Sequence, residues 1–297
     1  MQRKHTLTNI LFLAPAVIGF VLVMVIPFIL GIWYSFTDFN GVRSVLTFIG
    51  LENYKTMFSD VVFLHSFILT VEYTLINIVL VNVVAFGLSL LVTSNVRGRN
   101  FLRSGFFVPN LIGGIVLGYV WKFIFNDMLT AVGGALGFEW LQKSFISRSD
   151  TVIWAMSFVN TWQYAGYIMM IYVAGIQGIP ASLMEAANVD GATYPQRLTK
   201  ILIPMLAPSF TITSFLTLTN SFKQFDLNVS LTLGGPASMF MMKASKSSQL
   251  LALNIYNTAI TNNQWGQGQA KAIMFFLVLV VISLVQVAIN KRREIDM

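Results

Sequence analysis

The sequence predicts an all-α integral membrane protein with six transmembrane helices. Of its 297 residues, 56% are hydrophobic and only 10% are charged, and the mean hydropathy is +0.71. A soluble domain carries about 25% charged residues, so this composition indicates lipid as the surrounding solvent. A helix needs about 20 apolar residues to cross ~30 Å of hydrocarbon, and runs of this length recur along the chain.

Six apolar runs carry this prediction, and they cover residues 7–36, 65–93, 101–125, 151–177, 201–222 and 270–290. The first run follows Arg3 and Lys4, as a signal peptide would. It is much longer than the ~7 to 15 residues of a signal-peptide core, and no small-residue cleavage site follows, so we predict a retained helix.

Prolines and glycines inside the runs predict how the helices bend and pack. Proline removes a backbone donor and kinks a helix, and the runs contain Pro15, Pro27, Pro109, Pro204 and Pro208. Gly114 and Gly118 form a Gly-xxx-Gly pair, which predicts close contact with another helix.

Short basic segments predict the orientation in the membrane. With six spans both termini lie on one side, and Lys and Arg mark the cytoplasmic side. The basic residues on that side are Arg3, Lys4, Arg97, Arg99, Arg103, Arg197, Lys200, Lys291, Arg292 and Arg293. Both termini are therefore predicted to lie in the cytoplasm. The net charge of +7 sits in clusters beside the spans, so it indicates membrane orientation and not a nucleic-acid partner.

Three parts follow from this layout. Residues 1–64 are predicted to form an N-terminal transmembrane helix and an external loop. Residues 65–290 are predicted to form the main transmembrane domain, and residues 291–297 a basic cytoplasmic tail.

Several classes of chemistry are excluded by the residue types present. The chain has no cysteine, which excludes disulfides, thiolate metal sites and cysteine nucleophiles. It has no metal-site spacing of histidines and carboxylates, and no Gly-x-x-x-x-Gly-Lys-Ser/Thr phosphate loop. The chain itself is thus expected to be non-catalytic, with no metal and no cofactor.

A polar segment at residues 180–198 interrupts the apolar chain. Ser182 and Glu185 have the spacing of a capping box, which predicts a short helix. Asp190-Gly191 is a turn signal that ends this helix, because glycine accepts positive φ without strain. Pro195 is then predicted to open a second helical stretch that runs into the fifth span.

The string EAANVDGATYPQRLTKILIPMLAP, at residues 185–208, resembles the EAA loop of ABC importer permeases. The match lies at Glu185, Ala186, Ala187, Asp190, Gly191, Ala192, Ile203, Pro204 and Pro208. The strings VNTW at 159–162, GIP at 178–180 and TLGGP at 232–236 are similar to those of the MalF-type half of carbohydrate importers. The resemblance covers about residues 65–290, and only loosely the first helix.

This resemblance implies a type I ABC importer permease (MetI-like) fold with a cytoplasmic coupling loop at 180–208. Its coupling helix would sit in a cleft of an ATPase subunit, with Glu185, Ala186, Ala187, Asp190, Gly191 and Ala192 as the coupling residues. The implied partners are a second homologous permease, two ABC ATPase subunits that bind ATP and Mg, an external solute-binding protein and a sugar. Transport would proceed by alternating access.

Polar side chains inside spans are the candidate sugar contacts, because they are costly in lipid unless they face the interior. The fourth span carries Asn160, Gln163, Tyr164 and Tyr167 on one helical face, and the fifth carries Thr217, Asn220, Ser221 and Gln224. Amides and aromatic faces suit a polyhydroxylated ring, and the resemblance implies sugar contacts at these positions. The alternative is that such groups bind neighbouring helices.

A rival function is an ion- or proton-coupled secondary transporter. That class needs charges inside the membrane and often has an inverted repeat. Only Glu72 and Lys122 approach that description. A scaffold without transport activity is a third possibility, but the polar face of the fourth span argues against it.

Overall fold

The computed structural model describes residues 12–42, 46–94 and 96–291, and most of them are helical. Four helices are long and apolar enough to cross a membrane: Phe12–Tyr34 (α1), Val61–Thr93 (α3), Gly114–Leu136 (α5) and Trp265–Ile289. Two helix pairs, Val152–Gly178 with Ala181–Val189 and Tyr194–Met205 with Ala207–Phe222, meet the same criterion jointly, with bends of 68° and 67°. The described residues therefore provide four to six spans, in agreement with the six-span prediction.

The remaining elements complete the chain. The shorter helices are Glu52–Ser59 (α2), Arg99–Phe107 (α4) and Leu251–Tyr256 (α10). The bent pairs are α6 (Val152–Gly178) with α7 (Ala181–Val189), and α8 (Tyr194–Met205) with α9 (Ala207–Phe222). The last helix, α11, covers Trp265–Lys291. Arg3, Lys4, Arg292 and Arg293 lie outside the described residues.

The third predicted span, 101–125, was placed wrongly. The structure ends α4 at Phe107, follows it with a 3-10 turn at Val108–Leu111, and starts α5 at Gly114. Pro109 lies in that turn, and Ile112 after it is extended at φ −79 and ψ 125. Because the apolar run continues through this break, hydropathy alone could not locate it.

The fifth predicted span is bent as its prolines indicated. α8 ends at Met205 and α9 begins at Ala207, with a bend of 67° between them. Leu206, between Pro204 and Pro208, has φ −87 and ψ 6. The predicted kink is confirmed at this position.

Two compact units divide the chain. One contains the residues up to Asp60 together with 255–277. Within it, the Lys271 ammonium is 2% exposed and lies 2.8 Å from an Asp60 carboxylate oxygen. Lys271 Nζ also donates to Thr258 Oγ1 at 2.9 Å. A buried ion pair therefore links the start of α11 to the end of α2.

The other unit contains residues 61–254 and the residues from Val278 onward. Its core is formed largely by α3 and α6, with Tyr73, Val81, Met156 and Tyr172 fully buried. Clusters of buried apolar side chains extend along both helices. These two helices form the frame on which the polar side chains of the unit are placed.

The Gly-xxx-Gly prediction is confirmed within this second unit. A Cβ at Gly114 would lie 2.9 Å from the Asp226 Cβ, and one at Gly118 would overlap the Ser230 hydroxyl. Asp226 and Ser230 belong to the segment after α9, which includes a π-helical turn at Asn228–Thr232. The two glycines thus let this segment approach the α5 backbone closely.

Gly118→Ala is expected to lower the thermal stability of the purified protein, because the added methyl group forces the Ser230 segment away from α5. Overpacking of this kind costs about 1 to 3 kcal/mol. The matched control is Gly113→Ala, since among the described residues nothing lies within 4 Å of a Cβ there. Thermal unfolding of both variants in detergent would show a lower midpoint for Gly118→Ala, and equal midpoints would contradict the close contact.

A β-hairpin follows this segment and was not predicted. Strands β1 (Ala237–Phe240) and β2 (Lys243–Lys246) pair antiparallel, with Phe240 opposite Lys243. Met241 and Met242 form the connecting turn at φ 46° and 62°. Positive φ costs about 1 to 2 kcal/mol for a residue with a side chain, and two-residue turns usually use Asn-Gly for that reason. The sequence Met-Met therefore gave no turn signal.

Candidate functional site

A buried polar network joins α3, α6 and the end of α9. Asn160 Nδ2 donates to Asn77 Oδ1 at 2.8 Å, and Asn77 Nδ2 donates to Ser157 Oγ at 3.1 Å. Gln224 Nε2 donates to Asn160 Oδ1 at 3.2 Å. Asn160 is only 1% exposed, so its amide is used to hold the helices together.

A second network lies nearer the other end of α6. Tyr172 Oη donates to Asn82 Oδ1 and accepts from Thr213 Oγ1, both at 2.8 Å. Asn82 Nδ2 donates to Thr217 Oγ1 at 3.4 Å, and Thr217 is fully buried. Ser221 is also fully buried, and among the described residues its hydroxyl has no hydrogen-bond partner. The Thr217 and Ser221 side chains, which belong to the predicted face on α9, are therefore buried between packed helices.

Gln163 has a different role from its neighbours. Its Nε2 donates at 2.9 Å to the carbonyl oxygen of Ile112, in the break between α4 and α5. A helix break frees backbone carbonyls, and in a membrane another group must satisfy them. The Gln163 amide does this for Ile112. Nearby, α4 packs so closely on α6 that a Cβ at Gly166 would overlap the Phe106 carbonyl oxygen.

A cavity of 420 Å³ opens between α6 and the end of α9. Three of the predicted sugar residues line it, and the full lining is Tyr164, Leu216, Thr219, Asn220, Lys223, Gln224, Phe225 and Asp226. Among the described residues the buried Asn220 Oδ1 has no hydrogen-bond partner. The cavity thus offers two amides, a phenol and both signs of charge, which can bind hydroxyl groups as donors and as acceptors.

Tyr167 lies beside this cavity but lines another. Its ring is 5.4 Å from the Tyr164 ring, centre to centre. The second cavity measures 500 Å³ and is mostly apolar, with Arg103, Ser104, Phe107, Tyr167, Met170, Ile171 and Ala174 around it. Of these two neighbouring tyrosines, Tyr164 thus lines the polar cavity and Tyr167 lines the apolar one.

The structure thus distributes the eight predicted sugar residues among several environments. Tyr164, Asn220 and Gln224 share one cavity, while Tyr167 lies next to it. Asn160, Thr217 and Ser221 are buried, and Gln163 binds a backbone carbonyl. Which of them contacts a substrate stays a prediction. Sequence reasoning missed Lys223 and Asp226, although two opposite charges directly after a polar helical face are a detectable signal.

The predicted coupling helix is α7, and most of its motif residues are exposed. Glu185, Ala186, Asp190 and Gly191 are exposed, while Ala187 is 7% exposed. Exposed apolar side chains at Leu183 and Val189 add to this surface. A short helix with an exposed carboxylate and exposed apolar groups can enter a cleft on a partner.

Gly191 ends α7 in the way that its turn signal predicted. It has φ +73°, its N–H donates to Asn188 O at 3.1 Å, and the Ala192 N–H donates to Ala187 O at 2.9 Å. These two bonds with a left-handed residue between them form a Schellman motif. Arg197 also donates to the Asn188 side chain, which ties α8 to α7.

The capping-box prediction at Ser182 and Glu185 was wrong. α7 starts at Ala181 with Pro180 as its N-cap, and no side chain of the described residues caps it. The capping box occurs instead at Thr193 and Gln196, where the Thr193 N–H donates to Gln196 Oε1 at 2.8 Å and Pro195 lies in the first turn of α8. Pro180 is the N-cap, with an extended ψ of 128°, so α7 starts two residues earlier than predicted and Ser182 lies inside its first turn.

No group of three or more His, Asp or Glu side chains that could hold a metal ion occurs in the described part of the chain.

Comparison with known proteins identifies relatives of the whole chain. The permease described as "Probable starch degradation products transport system permease protein AmyD", from Thermoanaerobacterium thermosulfurigenes, is 43% identical over 97% of this chain and 95% of its own length. The "Multiple sugar-binding transport system permease protein MsmF" of Streptococcus mutans is 31% identical, over 91% of this chain and 90% of its own.

A solved structure agrees in fold. One chain of a bacterial alginate ABC transporter in complex with an alginate pentasaccharide-bound periplasmic protein superimposes with a TM-score of 0.80. The superposition covers 98% of this chain and 96% of the other, at 18% sequence identity. Residues 83–295 match the family described as "Binding-protein-dependent transport system inner membrane component". The chain therefore belongs to this family of multi-pass ABC transporter permease subunits, which are membrane-embedded and non-catalytic.

Proposed function

We propose that this chain is a permease subunit of an ATP-driven importer that carries a sugar or oligosaccharide across the cytoplasmic membrane. The polar cavity lined by Tyr164, Asn220 and Gln224 is the observation that carries the proposal. It suits a neutral polyhydroxylated ligand because amide and phenol groups match hydroxyls and a ring face. The relatives named for starch products and multiple sugars support the same substrate class.

The energy for transport comes from partners in this proposal. The chain has no phosphate-binding loop, so two ATPase subunits bind ATP and Mg and hydrolyse ATP. The exposed α7 helix and the turn that follows it, residues 185–192, transmit their movement to the spans. A second permease completes the pathway, and an external solute-binding protein delivers the sugar. The alginate transporter that shares this fold has a bound periplasmic protein, which supports the last partner.

The decisive experiment is sugar uptake into proteoliposomes that contain the complete transporter. Asn220→Ala and Tyr164→Ala each remove a cavity group, and one lost hydrogen bond costs about 0.5 to 1.5 kcal/mol. At saturating sugar we expect maximal uptake to fall about two- to tenfold in each variant. The control for Tyr164→Ala is Tyr119→Ala, because Tyr119 is 60% exposed on α5 and does not line this cavity.

Parental uptake in both cavity variants would place the substrate site elsewhere, in the partner permease. Asn160→Ala serves as a comparison, because Asn160 belongs to the buried network. We expect this variant to lose stability rather than to change sugar preference. Uptake that follows a proton gradient without ATP would instead support a secondary transporter.

Cysteine labelling tests the proposed orientation, in which both termini and the α7 loop are cytoplasmic. The chain contains no cysteine, so single cysteines at Ser94, Thr193 and Asp150 report their own positions. All three positions are exposed. In intact cells a membrane-impermeant reagent should label only the Asp150 position. Labelling of Thr193→Cys from outside would reverse the orientation.

A further inference from the structure

The apolar cavity of 500 Å³ between α4 and α6 has a single charged group in its lining. Arg103 supplies this charge, while Ser104 and Tyr167 supply hydroxyl groups. The rest of the lining is apolar, namely Phe107, Met170, Ile171 and Ala174. Ligand sites in proteins commonly measure about 300 to 1,000 Å³, so the cavity has room for a ligand. Its lining suits a molecule with an anionic end and an apolar chain.

The Arg103 guanidinium is only partly satisfied by the protein. Its Nη2 donates at 3.2 Å to the carbonyl oxygen of Val92, in the last turn of α3. Its Nε is buried and has no hydrogen-bond partner among the described residues. No ion pair in the described part of the chain includes Arg103. A guanidinium has five N–H donors, and a charge removed from water without a counter-ion is costly. Donors and charge therefore remain for an anion.

Arg103 lies at one boundary of the hydrocarbon. The connection from α3 to α4 contains Arg97, and Arg99 is the first residue of α4. Arg103 follows one turn later and contacts Val92, one residue before the end of α3. Basic side chains at the end of an apolar helix mark the level of the lipid headgroups. The guanidinium is thus placed where a phosphate group of the bilayer lies.

The cavity extends from this level into the hydrocarbon. Tyr167 marks its deep end, eleven residues before the end of α6 at Gly178, which is about 17 Å of helix. Ala174 is four residues, or about 6 Å, from the same end. α4 closes on α6 beside Tyr167, since a Cβ at Gly166 would overlap the Phe106 carbonyl oxygen. The apolar part of the lining therefore lies at the depth of acyl chains.

The surroundings of the cavity favour a negatively charged headgroup over a neutral one. Arg97 and Arg99 are exposed, and no ion pair among the residues that the structure describes includes either of them. The first turn of α4 contains no acidic residue, so no carboxylate there offsets Arg99 or Arg103. Basic pockets between transmembrane helices bind the headgroups of anionic lipids.

We propose that the cavity between α4 and α6 is a binding site for an anionic phospholipid. The Arg103 guanidinium and the Ser104 hydroxyl bind the phosphate, and one acyl chain packs against Phe107, Met170 and Ile171. The inference depends on the membrane-embedded fold and on this cavity, and not on the substrate that the chain carries. Bound lipid bridges α4 and α6, so it stabilises the folded protein by mass action.

Native mass spectrometry of the complete transporter measures this binding directly. The complex is stripped of lipid in a neutral detergent and titrated with phosphatidylglycerol, and in parallel with zwitterionic phosphatidylcholine. We expect Arg103→Gln to weaken phosphatidylglycerol binding at least fivefold and to leave phosphatidylcholine binding unchanged, because the amide keeps a donor for Val92 O and loses the charge. Lys200→Gln is the control, since it removes an exposed positive charge that does not line the cavity.

A second variant tests the apolar part of the site without touching the arginine. Ala174→Trp fills the cavity from an exposed position, so it should weaken phosphatidylglycerol binding to a similar extent. Val79→Trp is the matched control, because Val79 is 61% exposed on α3 and does not line the cavity. In thermal unfolding, phosphatidylglycerol should raise the midpoint of the parental complex and of both controls more than that of either cavity variant.

Three results would overturn the lipid site. The first is equal binding of the two lipids by the parental complex, or unchanged phosphatidylglycerol binding in Arg103→Gln and Ala174→Trp. The second is an equal rise in the unfolding midpoint with inorganic phosphate, which would show a phosphate site that does not use the acyl chain. The third comes from Ala174→Cys carrying a photocrosslinker, which should attach to lipid. Attachment only to the second permease would show that the cavity is a contact between subunits.

Discussion

Gly191→Pro is expected to abolish coupled transport while the chain still reaches the membrane. Gly191 has φ +73°, whereas proline fixes φ near −65°, so the Schellman end of α7 is lost together with the Gly191 N–H bond to Asn188. Glu185→Ala should act in the same direction because it removes the exposed carboxylate of the helix. Binding-protein-stimulated ATPase and sugar uptake should fall more than tenfold in the proline variant, measured on assembled complexes.

Two controls make this result specific to coupling. Gly191→Asn keeps a residue type that tolerates left-handed backbone, so it should retain most of the uptake. Ser182→Ala changes another exposed side chain of α7, which caps nothing, and should be neutral. If Gly191→Pro and Glu185→Ala both show the same stimulated ATPase activity as the parental protein, α7 does not couple the ATPase to transport.

Asp60→Asn is expected to destabilise the protein strongly, because it leaves the buried Lys271 ammonium without its carboxylate. Lys271 is 2% exposed and Asp60 is 26% exposed at the side chain. Removal of one partner from a buried ion pair costs about 3 to 5 kcal/mol. Lys271→Met should be milder, since the remaining Asp60 carboxylate is partly hydrated. The double variant should recover most of the loss, because an apolar group replaces the buried charge.

Thermal unfolding of the purified complex, with all four forms compared, measures this coupling. Lys55→Met provides the matched control. Lys55 pairs with Glu52 at 3.8 Å, but both side chains are well exposed, at 75% and 63%. Exposed pairs contribute about 0 to 1 kcal/mol, so the unfolding midpoint should hardly change. Independent, additive effects of Asp60→Asn and Lys271→Met would contradict the ion pair.

Local signals in the sequence were informative where a short segment decides its own structure. The Asp190-Gly191 turn, the start of α8 at Pro195 and the bend between Pro204 and Pro208 all follow from backbone restrictions within a few residues. The predicted Ser182–Glu185 capping box did not form for a similarly local reason, because the nearby Pro180 is the N-cap of α7.

The sequence predicted the helices better than it predicted the surroundings of the residues on each helical face. Asn160 and Tyr164 do lie on neighbouring turns of α6, but one binds Asn77 while the other lines the cavity. Helical periodicity states which residues share a face, and it does not state what packs on that face. The Lys271–Asp60 pair joins residues 211 positions apart, and a charge near the start of an apolar run carries no sign of its partner.

The sequence by itself determined that the chain is a helical membrane protein with a turn at Asp190-Gly191, because hydropathy, run length and turn chemistry are properties of short segments. The tertiary structure alone decided where α4 ends and α5 begins, which polar side chains are used in packing, and which line the cavity. It alone revealed the strained hairpin tip and the buried ion pair. These features depend on contacts between segments far apart in the chain, where burial and close packing fix the partner of each group.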